Sequence, residues 1–388
     1  MIGPSHLPSS SRQPPSRPLR VAVVTGSRAE FGLLRPVMNA VEAHPQLDLM
    51  VIAAGAHLIQ PAETFREVKA CFDIADSIPM QVAGRTGRYE DAEAVGKGVG
   101  RFARSFDRLR PDWIVLLGDR IEPFAAASAA AVMGLAIAHI HGGDRAEGVA
   151  DESMRHAISK LAHLHFPATQ QSAERLIRMG EKPEFVRVVG SPAIDALGAI
   201  PPLGDALYAE LGSPLVVFLM HPVGRHAEQE EAAAGQVLSA LAGERVLALH
   251  PNHDPGREGI LRAIEHAKVS SRPHLPREHF VGLLERLARD AEGLLVGNSS
   301  AGLIEAAALR LPVVDVGPRQ NGRERAGNAV HALESAQGVR EALASARAMD
   351  RAKLTHPYGD GRAGERVAEA LATTDPGDAR VRRKLCTY

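Results

Sequence analysis

Two acids three residues apart, Asp119 and Glu122, stand in the stretch GDRIEPFAAAS, where an apolar run gives way to an alanine-rich one. The next apolar run, AIAHI, ends on His141, Gly142, Gly143 and Asp144, and Glu147, Asp151, Glu152, Arg155 and His156 follow closely. Carboxylates crowded together do not all ionise freely. Like charges raise the pKa of at least one, so a single site can hold a proton acceptor and a proton donor at neutral pH. That is equipment for removing and returning a proton, and the acids Asp119, Glu122, Asp144, Glu147, Asp151 and Glu152 are candidates for it as a set. An N-cap on the alanine-rich helix would account for Asp119 without chemistry. His141, Asp144, Asp151, His156 and His221 are suitable metal ligands by type, yet no HExxH or cysteine spacing fixes a geometry, and no metal is expected. His163 and His165, alternating in HLHF, read as core histidines.

Two further clusters suit an anion, and a third sets imidazoles at strand tips. In TGSRAEFG, the amides of Gly26 and Ser27 near a helix start, with the Arg28 guanidinium, fit phosphate oxygens; the alternative is a tight turn with Arg28 paired to Glu30. In VGNSSAGLIEAA, Asn298, Ser299 and Ser300 sit at the mouth of a helix and form a cradle for a diphosphate, while Glu305 inside it could accept from ribose hydroxyls. His221 follows VVFLM, and His250 and Asn252 follow RVLAL, so two imidazoles and an amide stand at successive strand tips. His226 and His253 read as solvated loop residues. VGPRQNGRERAGN adds Arg319, Gln320, Arg323 and Arg325, which could neutralise the same anion or pair with Glu324.

These residues need a scaffold that delivers strand ends to one place. RVAVVTG, DLMVIAAGA, RPDWIVLLGDR, GLAIAHIHGG and FVRVVGSPAIDAL are short apolar runs ended by turn residues, with helical stretches between them such as 95–109 and 169–180. Strands this uniformly apolar belong in a parallel sheet covered on both faces. After Pro201 and Pro202 the pattern restarts with PLVVFLMHP, RVLALHPNHDPG and GLLVGNSSAGLIEAAALRLPVVDVG, separated by helical 228–241, 258–266 and HFVGLLERLARDA. The expectation is an α/β chain: a tail at 1–19, a domain over 20–200 carrying the acids, a second over 201–350, and a helical segment and tail over 351–388. Ligands of open α/β sheets lie at the carboxyl ends of strands, where all four clusters fall.

The chain of 388 residues has 45 basic and 46 acidic groups, so it offers no electrostatic footprint for nucleic acid. Its longest greasy run, 124–140, is too short to span a membrane and contains Gly134. Cys71 and Cys386 are the only cysteines, too few for a disulfide framework and in keeping with a reducing cytoplasm, the expected location.

In their order, TGSRAEFGLL, GDRIE, HIHGGDRAEGVADESMRHAISKLAHLHF, VGSPAID, HPNHDPG, GNSSAGLIEA and VGPRQNGRERAGN resemble the UDP-N-acetylglucosamine 2-epimerases, and more closely their hydrolysing branch, which makes N-acetylmannosamine for sialic acid synthesis. The resemblance spans roughly 21–328 and extends to THPYGDGRAGERVAEAL. It implies a GT-B-like fold, two Rossmann-like domains facing a central cleft. By matched position, Arg28 would meet the diphosphate, Ser299 and Ser300 its other oxygens and Glu305 the ribose. Asp119, Glu122, Asp144, Asp151 and His221 fall where the family keeps residues important to turnover. Gly26, Glu30, Glu152, Arg155, His250, Asn252, Asn298, Arg319 and Gln320 complete the expected substrate site. The implied reaction is hydrolytic 2-epimerisation of UDP-N-acetylglucosamine through a 2-acetamidoglycal, without cofactor, in a homodimer or homotetramer whose partner is a small nucleotide sugar. Hydrolysing 2-epimerases of UDP- or GDP-N,N'-diacetylbacillosamine share these motifs and leave the sugar open. A nonhydrolysing epimerase, a glycosyltransferase or a silent sugar-nucleotide sensor are the other readings.

Overall fold

The computed structural model describes residues 17–59, 64–85, 87–145, 152–195, 197–252 and 254–385. In the first half, β1 (Leu19–Thr25), β2 (Leu47–Ala54), β3 (Ile74–Ile78), β4 (Trp113–Leu117), β5 (Ala136–Ile140) and β6 (Leu164–Phe166) form one six-stranded sheet in the order β3-β2-β1-β4-β5-β6. In the second, β7 (Val216–Leu219), β8 (Val246–Leu249), β9 (Ser270–Arg272), β10 (Leu294–Gly297), β11 (Val313–Val316) and β12 (Ala329–Ala332) form another in the order β12-β11-β10-β7-β8-β9. Every pairing is parallel. Counted from its own first strand, each sheet has the same order. Each therefore reverses direction once, between β1 and β4 in the first and between β7 and β10 in the second, and such a switch point opens a crevice at the strand ends. This is the GT-B-like pair of Rossmann-like domains.

The strands are short and apolar because helices cover both faces: β4, β5, β7 and β8 are buried along their whole length. Helices α1 (Arg28–Ala43), α2 (Phe65–Cys71), α3 (Arg88–Leu109), α4 (Ile121–Val132), α5 (Glu152–Leu161) and α6 (Gln170–Arg178) serve the first sheet. The second carries α7 (Asp205–Glu210), α8 (Ala227–Ala240), α9 (Arg257–Ala267), α10 (Arg277–Arg289), α11 (Ser300–Leu303), α12 (Glu305–Ala308) and α13 (Ala336–Arg347). The chain then crosses back, and α14 (Ala363–Thr373) buries Ala363, Val367 and Leu371 against α1 in the core of the first domain. Asp195 anchors that return by accepting from Ala363 N at 3.0 Å and Gly364 N at 2.7 Å. Where the two crossing segments touch, Gly190 has φ +90°, and a Cβ there would lie 2.9 Å from the Tyr358 carbonyl oxygen. A small apolar cluster including Ala193, Ile194, Val281, Ile304 and Tyr358 joins the domains.

Several local expectations are corrected. FVRVVG is not a strand: it keeps one bridge, Val186 to His165, and the sheet's edge is β6, the HLHF segment. The weakly apolar edge strands β3, β9 and β12 lacked the period or length to stand out. The helix expected after GNSS breaks at Ile304 into two four-residue helices. Of the tail expected over 1–19, residues 1–16 lie outside the described residues, Arg17 pairs with Asp112, and Leu19 already opens β1.

Candidate active site

The candidate residues gather at the two switch points. At the first, Gly26 follows the end of β1, and Ser27 caps α1 by accepting from Glu30 N. Glu122, one helical step into α4, is fully buried beneath this turn: a Cβ on Gly26 would lie 2.5 Å from its Cγ, so only glycine fits over it. Neither Glu122 carboxylate oxygen has a hydrogen bond among the described residues, and Arg120 Nε stands 3.6 Å from Oε2. Glu30, also buried, accepts from Gly26 N at 2.8 Å. Burial and the neighbouring Glu122 carboxylate, opposed by Arg120, push the Glu30 carboxyl up to about 8. Glu30 is therefore protonated at neutrality. Arg28 pairs with Glu67 of α2, not with Glu30, and lies within electrostatic reach of His274 in the second domain.

Asp119 is not an N-cap: that position of α4 belongs to Arg120, which makes no side-chain cap. Asp119 accepts from Arg155, a buried guanidinium on α5 that also donates to Glu152 at 3.4 Å and to the Asp144 carbonyl at 2.9 Å. Burial, with Arg323 and Arg175 nearby, pulls Arg155 down to about 9. Glu152 contacts His156 at 3.2 Å. Asp144 is buried, with one oxygen 2.9 Å from His141 Nδ1 and the other accepting from the Ser172 hydroxyl at 2.8 Å. Burial alone would raise its pKa; His141, Arg323 and Ser172 outweigh that and hold it below the usual carboxylate range. His141 itself stands at φ +63°, an unusual conformation for a side chain of this size, at the end of β5. Asp151 and Glu147 lie outside the described residues.

At the second switch point the groups are largely neutral, Arg319 and the Arg277–Glu305 pair apart. His221 follows β7, and the Asn298 side chain after β10 grips its backbone from both sides, Oδ1 accepting from His221 N at 2.7 Å and Nδ2 donating to His221 O at 2.9 Å. Asn252 N donates to His221 Nδ1 at 3.1 Å, so the ring keeps its proton on Nε2. Burial, with Arg319 nearby, lowers His221 to about 3. The Asn298 carbonyl accepts from Gln320 at 2.8 Å and Arg319 at 3.2 Å. Ser299 caps α11, accepting from Ala301 N, and Ser300 begins it. Glu305 is buried and meets Arg277 at 3.4 Å. His250 pairs through its backbone with Arg272, and burial with Arg257 lowers its ring. His253 lies outside the described residues.

The structure connects the two groups across the cleft. Arg120 lies 3.9 Å from Asp254, which accepts from the Asn252 side chain, whose backbone holds His221. Arg323 donates to the Arg145 carbonyl at 3.5 Å, and Arg175 to that of Gly322 at 3.4 Å. Sequence reasoning did not single out Glu67, Ser172, Ser191, Asp254 or Arg277. Ser191 and Asp195 lie in VGSPAID, where small polar residues between apolar ones were the available signal. His165 is buried and bonded to Glu181 at 3.0 Å, the structural role expected of it. Among the described residues, no three His, Cys, Asp or Glu converge to hold a metal ion, and no helix is long and apolar enough to cross a membrane.

The family profile described as UDP-N-acetylglucosamine 2-epimerase matches residues 39–372. A UDP-N,N'-diacetylbacillosamine 2-epimerase (hydrolyzing) of Legionella pneumophila is 35% identical over 367 residues, covering 91% of this chain and 96% of its own. A UDP-N-acetylglucosamine 2-epimerase of Neisseria meningitidis is 32% identical over 91% of this chain and 94% of its own. Among solved structures, the Methanocaldococcus jannaschii UDP-GlcNAc 2-epimerase in complex with UDP-GlcNAc and UDP superposes with a TM-score of 0.77 at 17% identity, covering 92% of this chain and 100% of that one. At that identity the likeness shows the fold.

Proposed function

The chain belongs to the UDP-N-acetylglucosamine 2-epimerase family, and on that premise we propose that it is a hydrolysing 2-epimerase converting UDP-N,N'-diacetylbacillosamine and water to UDP and the free 2-epimeric sugar. A 2-epimerase reaction on a UDP-sugar follows from the family. The choice of sugar and of hydrolysis rests on the Legionella relative, similar over nearly the whole of both chains. UDP-N-acetylglucosamine is the second reading, favoured by the Neisseria relative.

In the proposed reaction a base takes the proton from C2, the C1–O bond breaks with its electrons leaving on UDP, and a C1=C2 double bond remains. Water then adds its oxygen at C1, and C2 receives a proton from the opposite face, which inverts that centre. Of the expected acids that are described, Asp119 and Glu152 keep partly open side chains, whereas Glu122 and Asp144 are buried. We assign Asp119 the C2 proton and Arg155 the task of holding Asp119 and Glu152 in a fixed relation. Glu122 and Asp144 act from below, shaping the Gly26 turn and His141. C2 is a poor acid, so departure of the diphosphate must lead. Arg28 with the Ser299 and Ser300 amides and hydroxyls would stabilise that leaving charge. His221, neutral and with its proton on Nε2, suits a fixed hydrogen-bond donor to the same oxygens. Glu305 would accept from the ribose.

The test is UDP release from the two sugar nucleotides side by side. The proposal expects kcat/KM for the diacetylated substrate at least about 10-fold above that for UDP-N-acetylglucosamine. The reverse ratio selects the second reading, and release from neither contradicts both.

A further inference from the structure

One path of polar contacts runs from the second domain's Glu305 to the acids of the first. Arg277, at the start of α10, gives one guanidinium nitrogen to Glu305 at 3.4 Å and the other to the carbonyl of Ala193 at 2.5 Å, across the domain boundary. The Ala193 N–H is held at 3.2 Å by the Ser191 hydroxyl, so that short turn is fixed at both ends. The same hydroxyl lies 3.0 Å from His141 Nε2, and His141 Nδ1 lies 2.9 Å from Asp144. The His141 ring thus bridges the Asp144 carboxylate, to which Nδ1–H donates, and the Ser191 hydroxyl. Arg155 then joins the Asp144 carbonyl to the Asp119 carboxylate.

The stem of Arg277 has little room to swing. Its Cδ lies where a Cβ on Gly32 would be 3.3 Å away, which places it against α1. Beside it Glu278 pairs with Arg35 of α1 at 3.1 Å, and the apolar cluster of Ala193, Ile194, Val281 and Ile304 packs around the turn. A domain staple alone would be satisfied by the Arg35–Glu278 pair and this packing. Arg277 does something further: it shares one guanidinium between a carboxylate in the nucleotide domain and the backbone turn that holds a strained histidine, His141 at φ +63°.

We propose that Arg277 is a positioning residue that couples occupancy of the ribose end of the nucleotide site to the placement of His141, Asp144 and Asp119. The proposal rests on the reading of Glu305 as the ribose acceptor. A ribose hydroxyl on Glu305 fixes that carboxylate, which fixes Arg277, the Ala193 carbonyl and the Ser191–His141 contact. Binding energy from a part of the substrate far from C2 is then expressed at the acids, and so in kcat.

The test is hydrogen–deuterium exchange over 188–195 and 139–144 with UDP or 2′,3′-dideoxy-UDP, in the wild type, R277M and the charge-conserving R277K. In the wild type, UDP should slow exchange in both segments at least about fivefold more than the dideoxy nucleotide does; in R277M that difference should vanish, and R277K should recover part of it. Turnover of R277M should fall about 10-fold or more in kcat with KM changed less than about threefold. Equal protection by the two nucleotides in the wild type overturns the coupling, as does a difference that persists in R277M. A wild type that shows the coupling but releases no UDP from any sugar nucleotide contradicts the proposed reaction and leaves the coupling standing.

Discussion

The two switch points share a strand order and differ in kind. The first is built from titratable groups, with Glu30 and Glu122 buried side by side and Asp119, Glu152 and Asp144 gathered around Arg155. The second is built largely from neutral ones, an imidazole and two amides locked to backbone around Asn298, with the Arg319 guanidinium on the same carbonyl. One scaffold can thus carry titratable groups where protons must move and fixed dipoles where a charged ligand must be received. On the proposed reading the dipoles need little charge of their own, because a diphosphate would bring it. The same order of strands does not decide which is which; the residues at the strand ends do.

The sharpest way to break this contrast is to remove a proton carrier from the first point. Asp119→Asn should lower kcat by about 100-fold or more, with KM changed far less; a variant with a tenth of the activity left would mean that the proton chemistry lies elsewhere. Next comes the neutral point. Asn298→Ala frees both backbone groups of His221 and should weaken UDP binding about 10- to 100-fold by calorimetry. An effect mainly on kcat would blur the division of labour.

The remaining tests sharpen it through pH. Glu30 titrates at about 8 when folded and near 4.5 when unfolded, so the folded protein binds the extra proton between those values. Stability from this group is full at low pH and is lost as pH rises through that window. Glu30→Gln keeps an acceptor for Gly26 N and removes the titration. Its melting temperature relative to the wild type should rise by at least about 2 °C between pH 5 and pH 8.5; no change with pH would place Glu30 among ordinary carboxylates. At the second point the expected effect is nil. His221, lowered to about 3, should keep constant ring nitrogen shifts from about pH 8 to pH 5, whereas an exposed histidine moves near 6.5. A midpoint within that range would return a charge to the neutral site.

What the sequence made legible follows the same physics. Fully buried strands such as WIVLL and AIAHI announce a covered parallel sheet, and Pro201 with Pro202 marks the restart of the pattern. Edge strands such as Ser270–Arg272 are half exposed and carry no such signature. The acids at 119–155 were visible as an excess of charge beside apolar runs, but their burial was not. Glu122 and Glu152 look alike in sequence, and only the packing of Gly26 over one separates them. Residues whose partners lie far along the chain were silent. Arg277 joins Ala193 and Glu305, and Lys384 donates to the Ser159 carbonyl at 3.0 Å and to Glu181 at 2.6 Å, contacts that no local spacing encodes.

The most direct test of the division is a time course in deuterium oxide with UDP-N,N'-diacetylbacillosamine, followed by proton NMR. The account predicts UDP and free 2-epimeric sugar appearing together, with one deuterium at C2 of every product molecule, placed there by the first switch point after the second has released the nucleotide. Free sugar that keeps its original C2 proton and configuration would contradict it, because the acids would then have served water at C1 and left C2 untouched.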